Sequence, residues 1–355
     1  MVGKYNESWC PMYEVYVGGY RSAELAGIHH LQLDEESGQL RALDQFSGID
    51  NPSYLLWDGS RQHLYAVSES HDRARVASYH IDDNGRLQLE NTEATSGGSP
   101  CHLTMTADRQ GLLCTNYMGA SVDWFPLDST GRLYPRISEV RHTGSGPRKD
   151  RQSQAHPHSA WTDPSGLYVI VPDLGLDRLL IYRPDLKQKA LQEMARVAVP
   201  PGSGPRHLAF HSNGQFVYVV NELSSTVSVF TYRPEPLALE LVDTVSALPQ
   251  GFRGSSDAAH IIVSSDSTML YVSNRGSNTI ACFAIEDQGQ RLRHLADIPT
   301  IAHFPRHFSM SPDERWMLVG GQKADLVEVL SMQDGIPTPH GSMFSTPQPT
   351  FIAVG

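Results

Sequence analysis

Short runs of apolar residues recur along the chain, separated by polar turns. The clearest example is residues 204–230, in which apolar and polar positions alternate over 205–210, Ser212-Asn213-Gly214 follows, and 216–220 is almost entirely apolar. A polar turn with Asn221 and Glu222 then precedes a third apolar run. Alternation of period two bounded by Gly, Asn and Ser is typical of β-strands joined by tight turns. The stretch therefore predicts three consecutive strands.

This pattern is repeated, in whole or in part, at intervals of 44 to 57 residues. Its opening segments begin at Pro52, Pro100, Pro157, Pro205, Ala258, Pro305 and Pro349. In most copies a second segment, a third and a weaker fourth follow. Four strands per period of about 40–50 residues are typical of a β-propeller blade. A solenoid is the alternative, but it needs capping repeats, and both ends of this chain look like ordinary repeat.

The two ends of the chain complement each other. The chain finishes on an opening segment at 349–355 and begins with second, third and fourth segments at 13–19, 27–33 and 40–46. One blade is therefore assembled from both termini, which closes the ring and removes open sheet edges. We expect an all-β fold, a seven-bladed β-propeller of four-stranded antiparallel blades, formed by a single domain over residues 1–355.

Charge and composition restrict the possible partners. The formal net charge of −11 argues against nucleic acid or an acidic membrane as the main partner. No apolar run reaches the roughly 18–20 residues of a membrane-spanning helix, and no signal-peptide core is present, so we expect a cytoplasmic protein. Cys10, Cys101, Cys114 and Cys282 form no CxxC pair and are expected to be reduced thiols. The sequence leaves open whether Cys101 and Cys114, on adjacent predicted strands, pair.

Propeller geometry brings the start of each first strand and the end of each second strand to the same mouth of the central channel. The first set contains His102, His156, His158, Arg206, His207, Asp257, His260, Arg306 and His307. The second set contains Glu69, Asn116, Tyr117, Asp173, Asn221, Glu222, Asn274, Arg275, Gln322 and Lys323. Taken singly, each of these side chains is most simply explained by a structural role. Burying so many ionisable groups together is costly unless they pair or bind a ligand, so we expect a binding site there.

An insertion reaches the same mouth. The longest interval contains GSGPRKDRQSQA, residues 144–155, between a predicted fourth strand and the next first strand. Arg148, Lys149 and Arg151 against Asp150 make this loop locally basic. It either attracts an anionic substrate or is an ordinary solvated loop.

Four segments carry a resemblance to a known family. HPHSAWTDPSG, GPRHLAFHSNGQFVYVVNEL, LYVSNRGSNTIACF and FPRHFSMSPDERWMLVGGQ resemble the propeller lactonase family, and the resemblance extends over essentially the whole chain. That family includes bacterial 6-phosphogluconolactonases and fungal carboxymuconate cyclases. The resemblance implies an active site of His158, Arg206, Glu222 and Arg275, all of which are in the mouth sets. Many members of the family carry a His where this chain has Ile262. This difference bears on which substrate is bound more than on the class of reaction.

The resemblance implies hydrolysis of a small anionic lactone, 6-phospho-D-glucono-1,5-lactone of the pentose phosphate pathway, without a metal or other cofactor. We expect His158 to be the general base on water, with His156 as the alternative, because imidazole titrates near neutral pH. Glu222 would orient that base or hold a substrate hydroxyl. Arg206 and Arg275 would bind the anionic group and the developing oxyanion. The other expected substrate contacts are His156, His207, His260, Asn274, Arg306, Gln322 and Lys323.

Three alternatives remain at this point. A carboxymuconate-type cyclase would use the same four residues on a di- or tricarboxylate. A metal-dependent lactonase would use Glu69, Asn221, Asn274 and Asp257. A non-enzymatic interaction platform would need an exposed apolar patch, whereas the predicted mouth is polar and suits a small ligand better. The oligomeric state is not determined by the sequence.

Overall fold

The computed structural model describes residues 12–355, which form seven four-stranded antiparallel sheets arranged as the blades of a propeller. The closing blade joins both ends of the chain. It contains β1 (Met12–Gly19), β2 (Ile28–Asp34), β3 (Leu40–Phe46) and the last strand, β28 (Pro349–Val354). Strand β28 pairs with β1, so the predicted closure is confirmed. Of the predicted domain, 1–355, residues 1–11 lie outside the described part, as does Cys10.

The other six blades follow in chain order, each with its first strand innermost. Blade 1 contains β4 (Leu55–Asp58), β5 (His63–Ser68), β6 (Arg75–Ile81) and β7 (Leu87–Ala94). Blade 2 contains β8 (Pro100–Met105), β9 (Gly111–Asn116), β10 (Ser121–Pro126) and β11 (Ser138–Arg141). Blade 3 contains β12 (Trp161–Thr162), β13 (Val169–Asp173), β14 (Arg178–Asp185) and β15 (Ala190–Ala198).

Blades 4 to 6 are the most regular. Blade 4 contains β16 (Pro205–Phe210), β17 (Phe216–Asn221), β18 (Thr226–Arg233) and β19 (Ala238–Ser246). Blade 5 contains β20 (Asp257–Val263), β21 (Met269–Arg275), β22 (Thr279–Glu286) and β23 (Arg291–Pro299). Blade 6 contains β24 (Pro305–Met310), β25 (Trp316–Gly321), β26 (Leu326–Gln333) and β27 (Ile336–Ser345). Two short 3₁₀ turns cover Gly59–Arg61 and Asp287–Gly289.

The innermost strand of blade 3 is shorter than predicted. The apolar pattern begins at Pro157, but β12 covers only Trp161–Thr162, and Pro157 forms one isolated bridge with Asp173. The backbone N–H of His158 still donates to Pro172 O at 3.0 Å, so the segment stays against its neighbour.

The hydrophobic core lies between neighbouring blades. Between blades 4 and 5, for example, Tyr218 and Val229 pack against Ile261 and Phe283, and all four side chains are buried. Every residue of β17 is buried, because both faces of this sheet are covered. A continuous apolar run is what such two-sided burial requires. Each outer strand is more exposed, which explains why the fourth segments gave a weaker pattern.

Tyrosine hydroxyls connect blades to their neighbours. Four second-strand tyrosines donate to glycine carbonyls in the next blade: Tyr16 to Gly85, Tyr65 to Gly131, Tyr218 to Gly289 and Tyr271 to Gly335. The glycines have positive φ, from 75° at Gly85 to 116° at Gly289, which side chains disfavour. Trp316 Nε1, in blade 6, donates to Glu35 O in the closing blade at 2.8 Å.

Within residues 12–355, Cys101, Cys114 and Cys282 are buried free thiols, so Cys101 and Cys114 do not pair. The described part of the chain contains no helix with the length and apolar character needed to cross a membrane.

Candidate active site

A cavity of about 350 Å³ opens where first strands begin and second strands end. Its lining consists of Tyr20, Glu69, Cys101, Tyr117, Arg151, His158, Glu222, Arg275 and Arg306. Cys101 and Arg306 each follow the proline that starts a first strand, whereas Glu222 and Tyr117 each follow a second strand. The ring of blades therefore brings together side chains that are far apart in sequence.

Glu222 is the centre of the charge network. Strand β17 ends at Asn221, whose amide donates to Thr226 and Ser228 and so holds the turn, while Glu222 N donates to Gly204 O at 2.7 Å. The Glu222 side chain is consequently directed to the mouth. Its Oε2 lies 2.8 Å from Nη2 of Arg275 and 3.0 Å from Nε of Arg206. Its Oε1 accepts a hydrogen bond from Nη2 of Arg151 at 2.5 Å.

The carboxyl group of Glu222 is ionised despite its burial. Only 3% of the residue is exposed, and burial by itself would raise its pKa. The positive charges of Arg275 and Arg206 outweigh this effect and hold the pKa well below its usual range. Glu222 is therefore a fixed negative charge and a poor proton acceptor.

Arg206 contacts the carboxylate of Glu222 but does not line the cavity. Its Nη1 donates to Ala259 O at 2.6 Å and to Nε2 of His207 at 3.1 Å, and its Nε faces Glu222. Burial, and then the charges of Arg275 and Arg306, lower the pKa of Arg206 to about 9, which leaves it protonated at neutral pH. The position suits a residue that holds Glu222 rather than one that touches substrate.

Arg275 and Arg306 face the cavity. Arg275 donates to the carbonyl oxygens of Asp257 and Ala258 at 3.3 Å each and packs over Phe304. Arg306 has no carboxylate within 4.0 Å among residues 12–355, and its guanidinium carbon lies 5.6 Å from the centre of the Tyr20 ring. Four guanidinium groups, including Arg206 and Arg151, thus lie around three carboxylates: Glu69, Glu222 and Asp257, whose Oδ1 is 3.8 Å from Nη1 of Arg151. This positive excess favours an anionic ligand.

His158 is the imidazole at the cavity. Its Nε2 lies 3.8 Å from Oε2 of Glu222, and its Nδ1 lies 4.0 Å from Sγ of Cys101. Burial, and then the charge of Arg206, lower the pKa of His158 well below its usual range, although Glu222 opposes this shift. The expectation that His158 titrates near neutral pH is therefore wrong, because the site desolvates the ring. His158 is a neutral imidazole at neutral pH.

His156 lies outside the lining. Its ring stacks on Tyr117 with centroids 4.3 Å apart, its Nδ1 contacts Tyr117 O at 2.9 Å, and its backbone N–H donates to Asp173. The structure thus brings His158, and not His156, to Glu222.

Several other predicted substrate contacts are not brought to the cavity. His207 and His260 lie buried in the channel with His102 and His307. The Nδ1 atoms of His207 and His260 are 2.9 Å apart. The side-chain amide of Asn274, in blade 5, donates to the carbonyl oxygen of Ala247, which follows the last strand of blade 4. Gln322 and Lys323 do not line the cavity, and Lys323 packs over Phe304. Ile262 packs between blades 5 and 6.

The four residues of the metal-dependent alternative are not gathered at one point. The amides of Asn221 and Asn274 donate to neighbouring hydroxyl and carbonyl groups, and only Glu69 lines the cavity. Across the described residues, no group of three or more His, Cys, Asp or Glu side chains is arranged to hold a metal ion.

Sequence reasoning missed Tyr20 and Cys101 in the lining. The repeat itself contains the signal. Cys101, His158, Arg206 and Arg306 each come directly after the proline of a first segment, and three of these four line the cavity. In six of the seven blades the next position holds a ring of the channel, half-buried at Tyr54 and buried at His102, His207, His260, His307 and Phe351, whereas blade 3 has Ser159 there. Period-two alternation thus separates cavity residues from channel residues.

Comparison with known proteins agrees with this architecture. The family model described as lactonase, 7-bladed beta-propeller, matches residues 14–354. The chain is 34% identical over 309 residues to a 6-phosphogluconolactonase of Bacillus subtilis strain 168, covering 87% of this chain and 88% of that protein. The solved periplasmic gluconolactonase of Pseudomonas aeruginosa superposes with a TM-score of 0.91 at 30% identity, covering 97% and 99% of the two chains. A solved protein from Lactobacillus plantarum gives a TM-score of 0.91 at 27% identity, covering 97% and 100%.

Proposed function

This chain belongs to the lactonase family of seven-bladed β-propellers, and from that premise we propose that it hydrolyses an anionic sugar lactone, with 6-phospho-D-glucono-1,5-lactone as the candidate substrate. The observation that carries the proposal is the buried His158–Glu222 pair inside a cavity with an excess of guanidinium groups. The relatives named 6-phosphogluconolactonase and gluconolactonase support a sugar lactone as the substrate class.

In this proposal His158 is the general base. With the proton of its ring on Nδ1, facing Cys101, the lone pair of Nε2 faces the cavity. A water molecule placed beside Nε2 attacks the lactone carbonyl carbon and gives one proton to Nε2. When the tetrahedral intermediate collapses, the bond from the carbonyl carbon to the ring oxygen breaks, and the imidazolium returns the proton to that oxygen. The product is an open-chain hydroxy acid, which ionises in water.

Glu222 makes this cycle feasible for a histidine of low pKa. Its carboxylate, 3.8 Å from Nε2, stabilises the imidazolium that forms during attack. The carboxylate does not take the proton itself, because Arg275 and Arg206 keep it ionised. Glu222 differs from the carboxylate of a Ser-His-Asp triad, which bonds the ring nitrogen opposite the base, because it faces Nε2 itself and acts through its charge alone.

Arg275 is the proposed oxyanion donor. It lines the cavity, and its Nη1 has no hydrogen-bond partner among residues 12–355, whereas Nε and Nη2 contact protein oxygens. A preorganised guanidinium stabilises the charge that develops on the carbonyl oxygen. Arg206 acts through Glu222 and is a positioning residue.

The proposal is tested by the hydrolysis rate of freshly generated 6-phosphogluconolactone in EDTA, corrected for the spontaneous reaction. We expect a clear rate for the wild type and a loss of about 100-fold in kcat/KM for Arg275→Gln. Arg132→Gln, on an exposed turn, is the matched control and should keep the wild-type rate. No wild-type rate above background would overturn this substrate. Turnover of a carboxymuconate instead would make the chain a cyclase.

A further inference from the structure

The cavity contains a second carboxylate, Glu69, whose surroundings differ from those of Glu222. Glu222 contacts three arginines, but no Lys or Arg lies within 4.0 Å of the Glu69 carboxylate in the described part of the chain. Its Oε2 accepts hydrogen bonds from the hydroxyls of Tyr20, at 3.0 Å, and of Ser53. Within residues 12–355, the Glu69 carboxylate is therefore held in place by neutral hydrogen-bond donors.

The backbone fixes Glu69 as well. Its N–H donates to Asn51 O at 3.1 Å, and its carbonyl oxygen accepts from Nδ2 of Asn51 at 3.0 Å. With Oε2 engaged by two hydroxyls, Oε1 has no hydrogen-bond partner within residues 12–355. An ionised carboxylate oxygen can only accept hydrogen bonds, so this end of the cavity presents an acceptor in a fixed position.

Arg306 lies on the other side of Tyr20. Its guanidinium lies over the Tyr20 ring and, within residues 12–355, has no carboxylate within 4.0 Å, whereas the Tyr20 hydroxyl is bonded to Glu69. Tyr20 thus contacts both the cation and the carboxylate, while the two charged groups do not form an ion pair. This end of the cavity offers one donor group for an anion and one acceptor for a hydroxyl.

We propose that Glu69 is a specificity-determining residue that accepts hydrogen bonds from the hydroxyl groups of a polyhydroxylated substrate, while Arg306 binds the anionic group of the same molecule. The inference rests on the proposed function and narrows its substrate class. Hydroxyl donors satisfy Oε1, and a charged acceptor makes such hydrogen bonds stronger than a neutral one does. A second carboxylate on the ligand would instead be repelled by Glu69. The site therefore selects a sugar-derived ring over a di- or tricarboxylate.

The test compares two ligands that share a carboxylate and a six-carbon chain but differ in hydroxyl groups. D-Gluconate carries five hydroxyls and hexanoate carries none. Titration calorimetry gives the ratio of the dissociation constant of hexanoate to that of gluconate for each protein. We expect a ratio well above one for the wild type and a fall of at least 10-fold in Glu69→Gln, because gluconate loses its charged acceptor while hexanoate loses a repulsive charge. Glu240→Gln, on the exposed face of β19, is the matched control.

A second variant tests ligand recognition by Glu69 without changing the carboxylate itself. Tyr20→Phe removes the hydroxyl that orients Glu69 but keeps the ring under Arg306, so the ratio should fall in the same direction by a smaller factor. An unchanged ratio in Glu69→Gln, equal weakening of both ligands, or a wild-type ratio near one would each overturn the inference. The calorimetric measurement needs no turnover, so it tests the role of Glu69 even if the lactonase assay gives no rate. Loss of the lactonase proposal and loss of the Glu69 inference are thus distinguishable.

Discussion

Nε2 of His158 lies 3.8 Å from Oε2 of Glu222, and both residues are buried at the mouth of the channel. The separation exceeds a normal hydrogen bond, so the two groups interact through charge rather than through a shared proton. A neutral ring beside a fixed negative charge can accept a proton and be stabilised once it has done so. The following predictions test this arrangement and the network around it.

Replacing the proposed base should affect turnover more than binding. For His158→Gln we expect kcat to fall by about 10²–10⁴-fold, the usual contribution of a positioned general base, with KM changed less than threefold. Steady-state kinetics on 6-phosphogluconolactone checks this. His156→Gln is the matched control, since that ring stacks on Tyr117 outside the lining, and it should change kcat less than fivefold. A larger loss in the control than in His158→Gln would make His156 the base.

The pH dependence of kcat/KM should lack the usual histidine step. Because burial and Arg206 hold the pKa of His158 well below 6.5, the base remains neutral, and the rate stays flat, between pH 7.5 and 6.5. The acid limb should appear only at lower pH. In Arg206→Gln the lost positive charge allows the pKa of His158 to rise, so the acid limb should move to higher pH. An acid limb centred near pH 6.5 in the wild type would contradict the assignment.

Glu222 should contribute to stability as well as to chemistry. Glu222→Gln leaves Arg151, Arg206 and Arg275 without the carboxylate that they share, and two of these are buried. Breaking one side of a buried charge network costs about 3–5 kcal/mol in the free energy of unfolding. Urea denaturation measures the change. The exposed pair of Glu193 with Arg196 provides the control, and Glu193→Gln should change stability by less than about 1 kcal/mol.

The channel should make the protein sensitive to acid. Among the histidines of the channel and its mouth, burial lowers the pKa of five, to about 3 at His260 and well below 6.5 at His102, His158, His207 and His307. The unfolded chain binds protons with an ordinary pKa near 6.5, so it gains protons that the folded chain does not. Stability is therefore present above pH 6.5 and is lost as the pH falls below it, by up to about 1.4 kcal/mol per pH unit for each histidine.

Thermal unfolding between pH 7.5 and 5 measures this effect. His102→Gln removes one of the five groups and should reduce the loss of Tm per pH unit. His71→Gln, at a largely exposed ring, should leave the slope unchanged. A Tm that is constant down to pH 5 would show that the channel histidines are protonated in the folded protein.

The basic insertion should contribute through one residue. Arg151 hydrogen-bonds to Glu222 and lines the cavity, whereas the Arg148 side chain pairs with Asp150 and with Leu223 O. For Arg151→Ala we expect KM for the phosphorylated lactone to rise about 10-fold, because the cavity loses a positive charge that also holds Glu222 in place. Arg148→Ala should change KM less than twofold. Equal effects of the two variants would indicate general attraction by the loop, which added salt would abolish.

Much of the fold was predictable because it is encoded locally and repeatedly. The proline before each first segment, the turn and the apolar run of each second segment recur around the ring, and the unpaired segment at 349–355 required the missing strand at its other end. Similarly, the family motifs placed His158, Glu222 and Arg275 at one mouth, where the structure has them. The sequence by itself determined the number of blades and the closure, and it predicted the face that carries the candidate site.

Tertiary structure decided what each side chain does there. Whether a charged residue at the mouth is free or already paired depends on its neighbours in other blades, and these neighbours are set by the radial packing of the sheets. Arg206 is therefore engaged behind Glu222, His207 and His260 are buried in the channel, and Arg151 reaches across from the insertion. Glu69 shows the converse, because Tyr20 and Ser53 engage its Oε2, while within residues 12–355 no protein group hydrogen-bonds to its Oε1. Strand periodicity fixes a face, whereas the partners on that face are fixed by contacts between blades.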